Sequence, residues 1–431
     1  MTVTLNVSKF SCIEKAQIEI FPLTVIIGPQ ASGKSVVSKL NFFFVNLWAE
    51  QFSALEDGKD IDGFKEIVKE KFNQYFPCPA WGGSKFSIDF AAGKWGIKIT
   101  RLSRKGVVKD DLRITFSAFF TSHFETISKR YKTVRKKSSD SVEFDMMDLS
   151  WEIRESSEKI LTKELGRDFF PFQLFIPAGR SFFTNAGKAV TLLEQGNMVD
   201  PFIARFGRYY ASARDRLIFT RRTETSVAQK TFDTLTRELL GGTPKRERSL
   251  EYLESKDGRK IPFMVMSSGQ QELMPLVMAL KSWSPFSRRR TGSILYIEEP
   301  EAHLFPSGQS KFVELIALLM GESATRRNAV FITTHSPYVL AKLNNLIKAG
   351  QLASSTPTAA KDIEKIIPKH AWMMPGDVRC YGMDNGTLHD ITDESGLIDA
   401  EYLDGVSGTI SEEFNKLLAA EFRDVKGLSR G

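Results

Sequence analysis

Residues 23 to 35, LTVIIGPQASGKS, constrain the fold more than any other part of the chain. Leu23 to Ile27 reads as a buried strand, and Gly28 to Ser35 then satisfies G-x-x-x-x-G-K-[ST] at every position. From there Val36, Leu40, Phe43, Phe44 and Leu47 recur at helical spacing. A strand, a glycine loop and a helix in that order make a phosphate cradle, because loop amides and the helix N-terminus all point at the anion. Lys34 adds a point charge for the β/γ oxygens, and the Ser35 hydroxyl adds a ligand for Mg²⁺. A chance glycine loop would lack the flanking strand and helix. Gly28, Pro29, Gln30, Ala31, Ser32, Gly33, Lys34, Ser35 and Val36 are therefore the expected contacts of a bound nucleoside triphosphate.

A second apolar run, Ile294 to Ile297, ends in Glu298, Glu299 and, after Pro300, Glu301. Acids so close together repel one another and are costly to desolvate unless a cation or a donor meets them. Beside a phosphate loop they acquire a purpose. Glu298 suits Mg²⁺, one methylene longer than the usual Asp and so better placed to reach the metal through water. Glu299 suits orienting and deprotonating the attacking water. Two further stretches complete the pattern. Ser267, Ser268, Gly269 and Gln270 precede an apolar helix, Leu273 to Trp283, where such a cluster could equally be an ordinary cap. Ala329 to Thr334 reads as another buried strand, ending in His335. Ser336 then caps a helix with Pro337 in its first turn and Gly350 past its end. In this company His335 is expected to contact the γ-phosphate.

In this order the loop, the serine–glycine cluster, IEEPEAHL and TTHSP resemble an ABC-type ATPase head of the SMC/RecF kind. More closely, they resemble the ATPases of the overcoming-lysogenization-defect family. The likeness covers residues 1 to about 340. It implies an α/β fold: a mixed central sheet with an antiparallel β-subdomain and an inserted helical lobe. The head would comprise residues 1–181 and 251–431, and the lobe 182–250. It also implies ATP and Mg²⁺, with ATP sandwiched between the phosphate loop of one copy and Ser267, Ser268, Gly269 and Gln270 of another. The chain would then work as at least a dimer. Lys9 and Phe10 match a strand near the adenine that carries a basic or aromatic residue in such heads.

The sequence departs from that pattern in several places. Met266 and Ser268 replace the usual leucine and first glycine of the signature. Phe305 stands where an Asp is usual, so Glu301 or His303 would have to replace its contacts between subunits. No glutamine loop is evident; Arg180 takes its place in the order as a γ-phosphate or switch candidate, with Gln173 as the alternative. Heads without a Toprim nuclease domain, for which the residues after the head look too few, resemble the ATPase subunits of two-gene anti-phage systems such as PARIS and Septu. There the effector, such as a nuclease, is a separate protein.

The remaining segments add less. Lys85 to Phe90, Gly96 to Arg101 and Leu112 to Phe116 alternate with period two and predict antiparallel strands. Trp151 to Leu165 predicts a helix, and Asp257-Gly258 a hairpin. Ser354 to Ala360 reads as a loop, Tyr381 to Gly396 as turn-like, and a helix is expected from Ser411. No heptads sustain a coiled-coil arm. No apolar run is long enough for a membrane span, and no signal peptide opens the chain, so no membrane association is expected. Three scattered cysteines fit a reduced, cytoplasmic protein. The net charge of +7, with basic clusters at 129–137, 205–222, 245–248 and 288–290, keeps nucleic acid as a candidate partner and a RecF-like DNA-repair ATPase as the alternative. A non-hydrolysing scaffold is disfavoured by intact Lys34, Ser35, Glu299 and His335, and a transporter ATPase by the divergent signature.

Overall fold

In the computed structural model the chain opens with a hairpin, β1 (Val3–Phe10) and β2 (Ile13–Ile20). The structure describes residues 3–138, 146–186, 199–219, 226–247, 250–283, 292–321 and 328–399. After the hairpin, β3 (Leu23–Ile27) feeds the glycine loop and α1 (Lys34–Glu56). Next comes α2 (Ile61–Tyr75), whose N-cap Asp60 accepts from the Gly63 N–H at 2.8 Å. An antiparallel meander follows, β4 (Ser87–Ala92), β5 (Trp95–Arg104) and β6 (Val107–Phe116), where the sequence alternates. Helices α3 (Ala118–Ser138) and α4 (Met146–Leu165) lead to β7 (Phe172–Ile176).

The segment that follows is helical at first, with α5 (Ser181–Ala186), α6 (Pro201–Phe219) and α7 (Val227–Leu240). It then turns into a small antiparallel sheet of β8 (Gly242–Glu247), β9 (Leu250–Ser255) and β10 (Lys260–Pro262). Gly258 adopts the positive φ of 85° that the β9–β10 turn needs. After α8 (Ser268–Trp283), β11 (Ser293–Glu298), α9 (Pro306–Gly321), β12 (Asn328–Thr334) and α10 (Pro337–Ser355), the described chain closes with β13 (Val378–Asp384) and β14 (Thr387–Asp390).

One 11-stranded sheet runs through the molecule in the order β6-β5-β4-β1-β2-β14-β13-β3-β12-β11-β7. From β13 to β7 all neighbours are parallel, and from β6 to β2 all are antiparallel. β14 joins the halves, antiparallel to β13 and parallel to β2. The central parallel strands β3, β11 and β12 are buried along almost their whole length because both faces are covered. On β11, Ile294 and Tyr296 enter a core with α1 and the antiparallel strands. Leu295 and Ile297 enter a second core with α8, α9 and α10. This is a mixed α/β fold, with an antiparallel part joined to a parallel one, as the sequence led one to expect. Phe183, Phe206, Tyr210 and Phe232 belong to that second core, so the described parts of 182–250 share the core of the parallel strands and contribute the strand β8 as well as helices.

Two expectations are corrected here. Gly350 does not end a helix, since α10 continues to Ser355. A Cβ at Gly350 would lie 2.0 Å from the Met373 carbonyl oxygen, so the glycine permits a backbone–backbone approach. Of the stretch Tyr381 to Gly396, the part up to Asp390 is the β13–β14 hairpin, with β13 pairing β3 itself, while Asp393–Gly396 is a hydrogen-bonded turn as expected. The signal was Asn385-Gly386, a strong two-residue hairpin dipeptide, with φ of 46° and 74°. The helix expected from Ser411 and parts of the basic clusters lie outside the described residues. Among the described residues, no helix is long and apolar enough to cross a membrane.

Candidate nucleotide site

The parallel strands deliver the phosphate loop, the acids and His335 to one edge. β3 ends at Ile27 and gives way to the loop, β11 ends at Glu298, and β12 ends at Thr334, one residue before His335. Their register sets Glu298 opposite Thr333, and Thr333 opposite Ile26. Ligands bind open α/β sheets at the carboxyl ends of the strands, and this is that end.

Within the loop, Ala31 and Gly33 take positive φ, 61° and 109°. Pro29, Gln30 and Ala31 are exposed, while Gly28 and Gly33 are buried against the hairpin. A Cβ at Gly28 would meet the Met383 carbonyl oxygen at 2.3 Å, and one at Gly33 would meet the Met383 Cε at 2.9 Å. Only glycine lets the loop lie so close to β13. The Lys34 Nζ donates to the Gly28 and Pro29 carbonyls at 2.9 and 2.7 Å and lies 3.3 Å from His335 Nδ1. Burial lowers the pKa of Lys34, against the opposing pull of Glu299 and Glu301.

His335 links this lysine to the acids. Its Nε2 lies 3.0 Å from Glu299 Oε1, its Nδ1 2.9 Å from the Gly28 carbonyl, and its backbone N–H donates to Glu301 Oε1 at 2.6 Å. The Glu299 carboxylate can only accept, so Nε2–H donates to it, while the Gly28 carbonyl and the Lys34 ammonium both lie beside Nδ1. Glu301 therefore turns back onto its own chain in this structure. Glu298 is buried, and burial raises its pKa despite Lys39 and the Ser35 hydroxyl beside it. Four buried polar atoms in this small region have no hydrogen-bond partner: Ser32 Oγ, Glu298 Oε1, Glu301 Oε2 and Thr333 Oγ1. Buried polar atoms are nearly always paired, so such a concentration points to a polar ligand.

The signature segment faces elsewhere. Ser267 and Gln270 cap α8 reciprocally, Ser267 N–H to Gln270 Oε1 at 3.1 Å and Gln270 N–H to Ser267 Oγ at 3.4 Å. Gln270 also donates to the Leu240 carbonyl at 2.9 Å, while Ser267 and Ser268 stay exposed. Gly269 abuts the loop after the acids, for a Cβ there would lie 2.9 Å from the His303 carbonyl oxygen. No hydrogen bond among the described residues joins Ser267–Gln270 to Gly28–Ser35. Around the signature and that loop stand Phe305, Met264, Val265 and Tyr338, 78%, 73%, 69% and 57% exposed.

Of the four remaining candidates, Phe10, Arg180 and Gln173 are placed differently from the sequence expectation. Phe10 is buried against Phe72, Phe76 and Phe86, with ring centroids 5.6, 5.8 and 4.8 Å away, and offers no face to a base. Lys9 is exposed and lines a polar cavity of about 280 Å³ with Ser11, Cys12, Glu14, Ser84 and Asn385. Arg180 is fully buried and donates to backbone carbonyls, so it is not presented to a phosphate. Gln173 pairs with Ile294, remote from the strand end, and donates to the Phe42 carbonyl. The sequence reading missed Thr333 and the contribution of Met383. Thr333 was visible as the polar end of TTHSP, whereas Met383 carried no signal.

The family model described as "AAA domain, putative AbiEii toxin, Type IV TA system" matches residues 23–341. The chain belongs to this family. That makes it a P-loop ATPase, and the match runs from β3 into α10. No curated protein matches the chain. Among solved structures, the SMC head domain from Thermotoga maritima is 15% identical with a TM-score of 0.34, covering 91% of this chain and 99% of that one. An SmcHead bound to the C-winged helix domain of ScpA is 11% identical with a TM-score of 0.39, covering 90% and 96%. An Smc head with an extended coiled coil, bound to the C-terminal domain of ScpA derived from Pyrococcus furiosus, is 10% identical at 0.39, covering 95% and 99%.

Proposed function

We propose that the protein is a Mg²⁺-dependent ATPase that closes as a pair, each ATP lying between the phosphate loop of one copy and the signature serines of the other. The observation that carries this reading is the split of the site. Buried unpaired polar atoms gather at the loop and acid strand, while Ser267 and Ser268 stand exposed at a helix N-terminus that their own loop does not use. A helix N-terminus favours an anion, and the exposed Phe305, Met264, Val265 and Tyr338 supply an apolar rim that a second copy would cover.

Lys34, released from the Gly28 and Pro29 carbonyls, binds β/γ oxygens. Ser35 and Glu298, with its unpaired Oε1, would hold Mg²⁺, which supplies charge neutralisation on the phosphates. Glu299 orients the attacking water and accepts its proton, and His335 keeps that carboxylate in line with Lys34. Lys9 and the polar cavity beside Gly33 accommodate the base and ribose. The resemblance of the motifs to ATPase subunits of two-gene systems favours a role as sensor and regulator of a separately encoded effector, such as a nuclease, in anti-phage defence, and the family description adds only that such chains belong to two-component toxin–antitoxin systems. Co-purification with the product of the neighbouring gene tests that part.

The sandwich is tested by mixing Lys34→Ala protein with Ser268→Arg protein. Half of the composite sites are then doubly damaged and half intact, so activity partly recovers if subunits exchange. Exchange without recovery rejects shared sites. A DNA-binding ATPase is the second reading, favoured by the net charge of +7. Against it, Lys245, Lys260, Lys281 and Lys311 are each paired with an acid, which leaves less free positive charge than the sequence suggests.

A further inference from the structure

A guanidinium carries five N–H groups in a planar fork, and Arg180 commits all of them. Its Nε donates to the Glu272 carbonyl at 3.2 Å, and its Nη1 to the Pro177 and Glu298 carbonyls at 3.0 and 2.7 Å. Its Nη2 donates to the Glu299 carbonyl at 3.0 Å and faces Glu272 Oε1 at 3.4 Å. The Glu272 carboxylate also accepts the backbone N–H groups of Arg180 and Ser181, both at 2.7 Å. Two of these partners are the peptides of the two acids, and Glu272 lies in the first turns of the signature helix α8.

Glu299 needs such support. It is a non-glycine residue with φ of 44°, in the left-handed region that costs an L-residue strain. Its N–H is held by the Thr333 carbonyl at 2.8 Å and its carbonyl by Arg180. Strained residues persist where the surroundings over-determine them. We propose that Arg180 is a positioning residue for hydrolysis: it holds Glu299 in its left-handed turn and, through Glu272, makes that turn conditional on where the signature helix sits. Because the signature is read as serving the facing copy, this is a route by which closure at one site aligns the acid at the other. The inference rests on Glu299 acting as the base.

Lysine offers three donors without the fork, so Arg180→Lys tests the geometry while retaining the charge. The expected result is a fall in kcat of at least about tenfold with the affinity for a non-hydrolysable ATP analogue within about threefold of wild type. In a Glu299→Gln background, Arg180→Lys should lower kcat no further, since it acts through Glu299. Should Arg180→Lys fail to fold, Glu272→Gln gives the same cycle: it places an amide against the Ser181 N–H and touches no phosphate. Slow Glu299→Gln turnover combined with additive losses, or wild-type kcat in Arg180→Lys, overturns the positioning role alone. Wild-type turnover by Glu299→Gln removes the general-base reading, and the positioning role with it.

Discussion

Replacing Glu299 by Gln should move nucleotide affinity and turnover in opposite directions, and the size of each follows from the site. The amide keeps an oxygen for the His335 Nε2–H, now 3.0 Å from Glu299 Oε1, so the local geometry survives. What disappears is a negative charge close to the phosphates. His335 stands between that charge and Lys34 Nζ, with contacts of 3.0 and 3.3 Å on either side of the ring. Those contacts put the carboxylate on the order of 8 Å from Lys34 Nζ; at a separation of that order from the β/γ oxygens, Coulomb's law with an effective dielectric of about 20–80 gives roughly 0.5–2 kcal/mol per unit charge. ATP should bind the variant about 2- to 30-fold more tightly, as that energy converts to affinity. Loss of the general base should slow hydrolysis on the order of 10²–10⁴-fold. Calorimetry with ATP, which the variant barely consumes, measures the first effect, and phosphate release measures the second. Light scattering should also show the ATP-bound closed form accumulating. Weaker binding with turnover intact refutes the reasoning, and greater damage to turnover from Glu298→Gln with Mg²⁺ binding unaffected would mean the two acids have exchanged roles.

Glu298 should make Mg²⁺ binding sensitive to pH above the usual carboxylate range. Burial raises its pKa, so protons compete with the cation sooner as pH falls, and titrations of Mg²⁺ at successive pH values should show this. The native state holds that proton more tightly than the unfolded chain, so ionisation of Glu298 costs stability as pH rises from the ordinary value through the raised one. Glu298→Gln should therefore raise the melting temperature of the nucleotide-free protein at neutral pH while abolishing its Mg²⁺ dependence. Phe305→Asp should weaken ATP-dependent self-association about 10- to 100-fold, the worth of roughly 1.5–3 kcal/mol for burying a Phe side chain, with the melting temperature unchanged; equal sedimentation of variant and wild type would place Phe305 outside the interface. Gly350→Ala should destabilise by about 1–3 kcal/mol, because its Cβ meets the Met373 carbonyl oxygen, and denaturant unfolding measures it.

The phosphate loop was readable because its function is local. Consecutive amides, one lysine and one serine make the cradle wherever a strand runs into a helix, and no distant residue is needed to define it. Glu298, Glu299 and His335 were readable for a related reason, since each sits where an apolar run stops. The tertiary structure decided the rest. Phe10 looked available to a base, but helix α2 and strand β4 bring Phe72, Phe76 and Phe86 around its ring. Gly350 looked like a helix end because spacing cannot reveal that another backbone passes 2.0 Å from its missing Cβ. Arg180 looked like a phosphate or switch residue because it takes the place of the glutamine loop in the motif order. Its partners on the acid strand and the signature helix lie 92 to 119 residues away, and only folding brings them to one guanidinium. Motifs that act through neighbours in sequence are written in the sequence; those that act by joining strands and helices exist only once packing has set the distances.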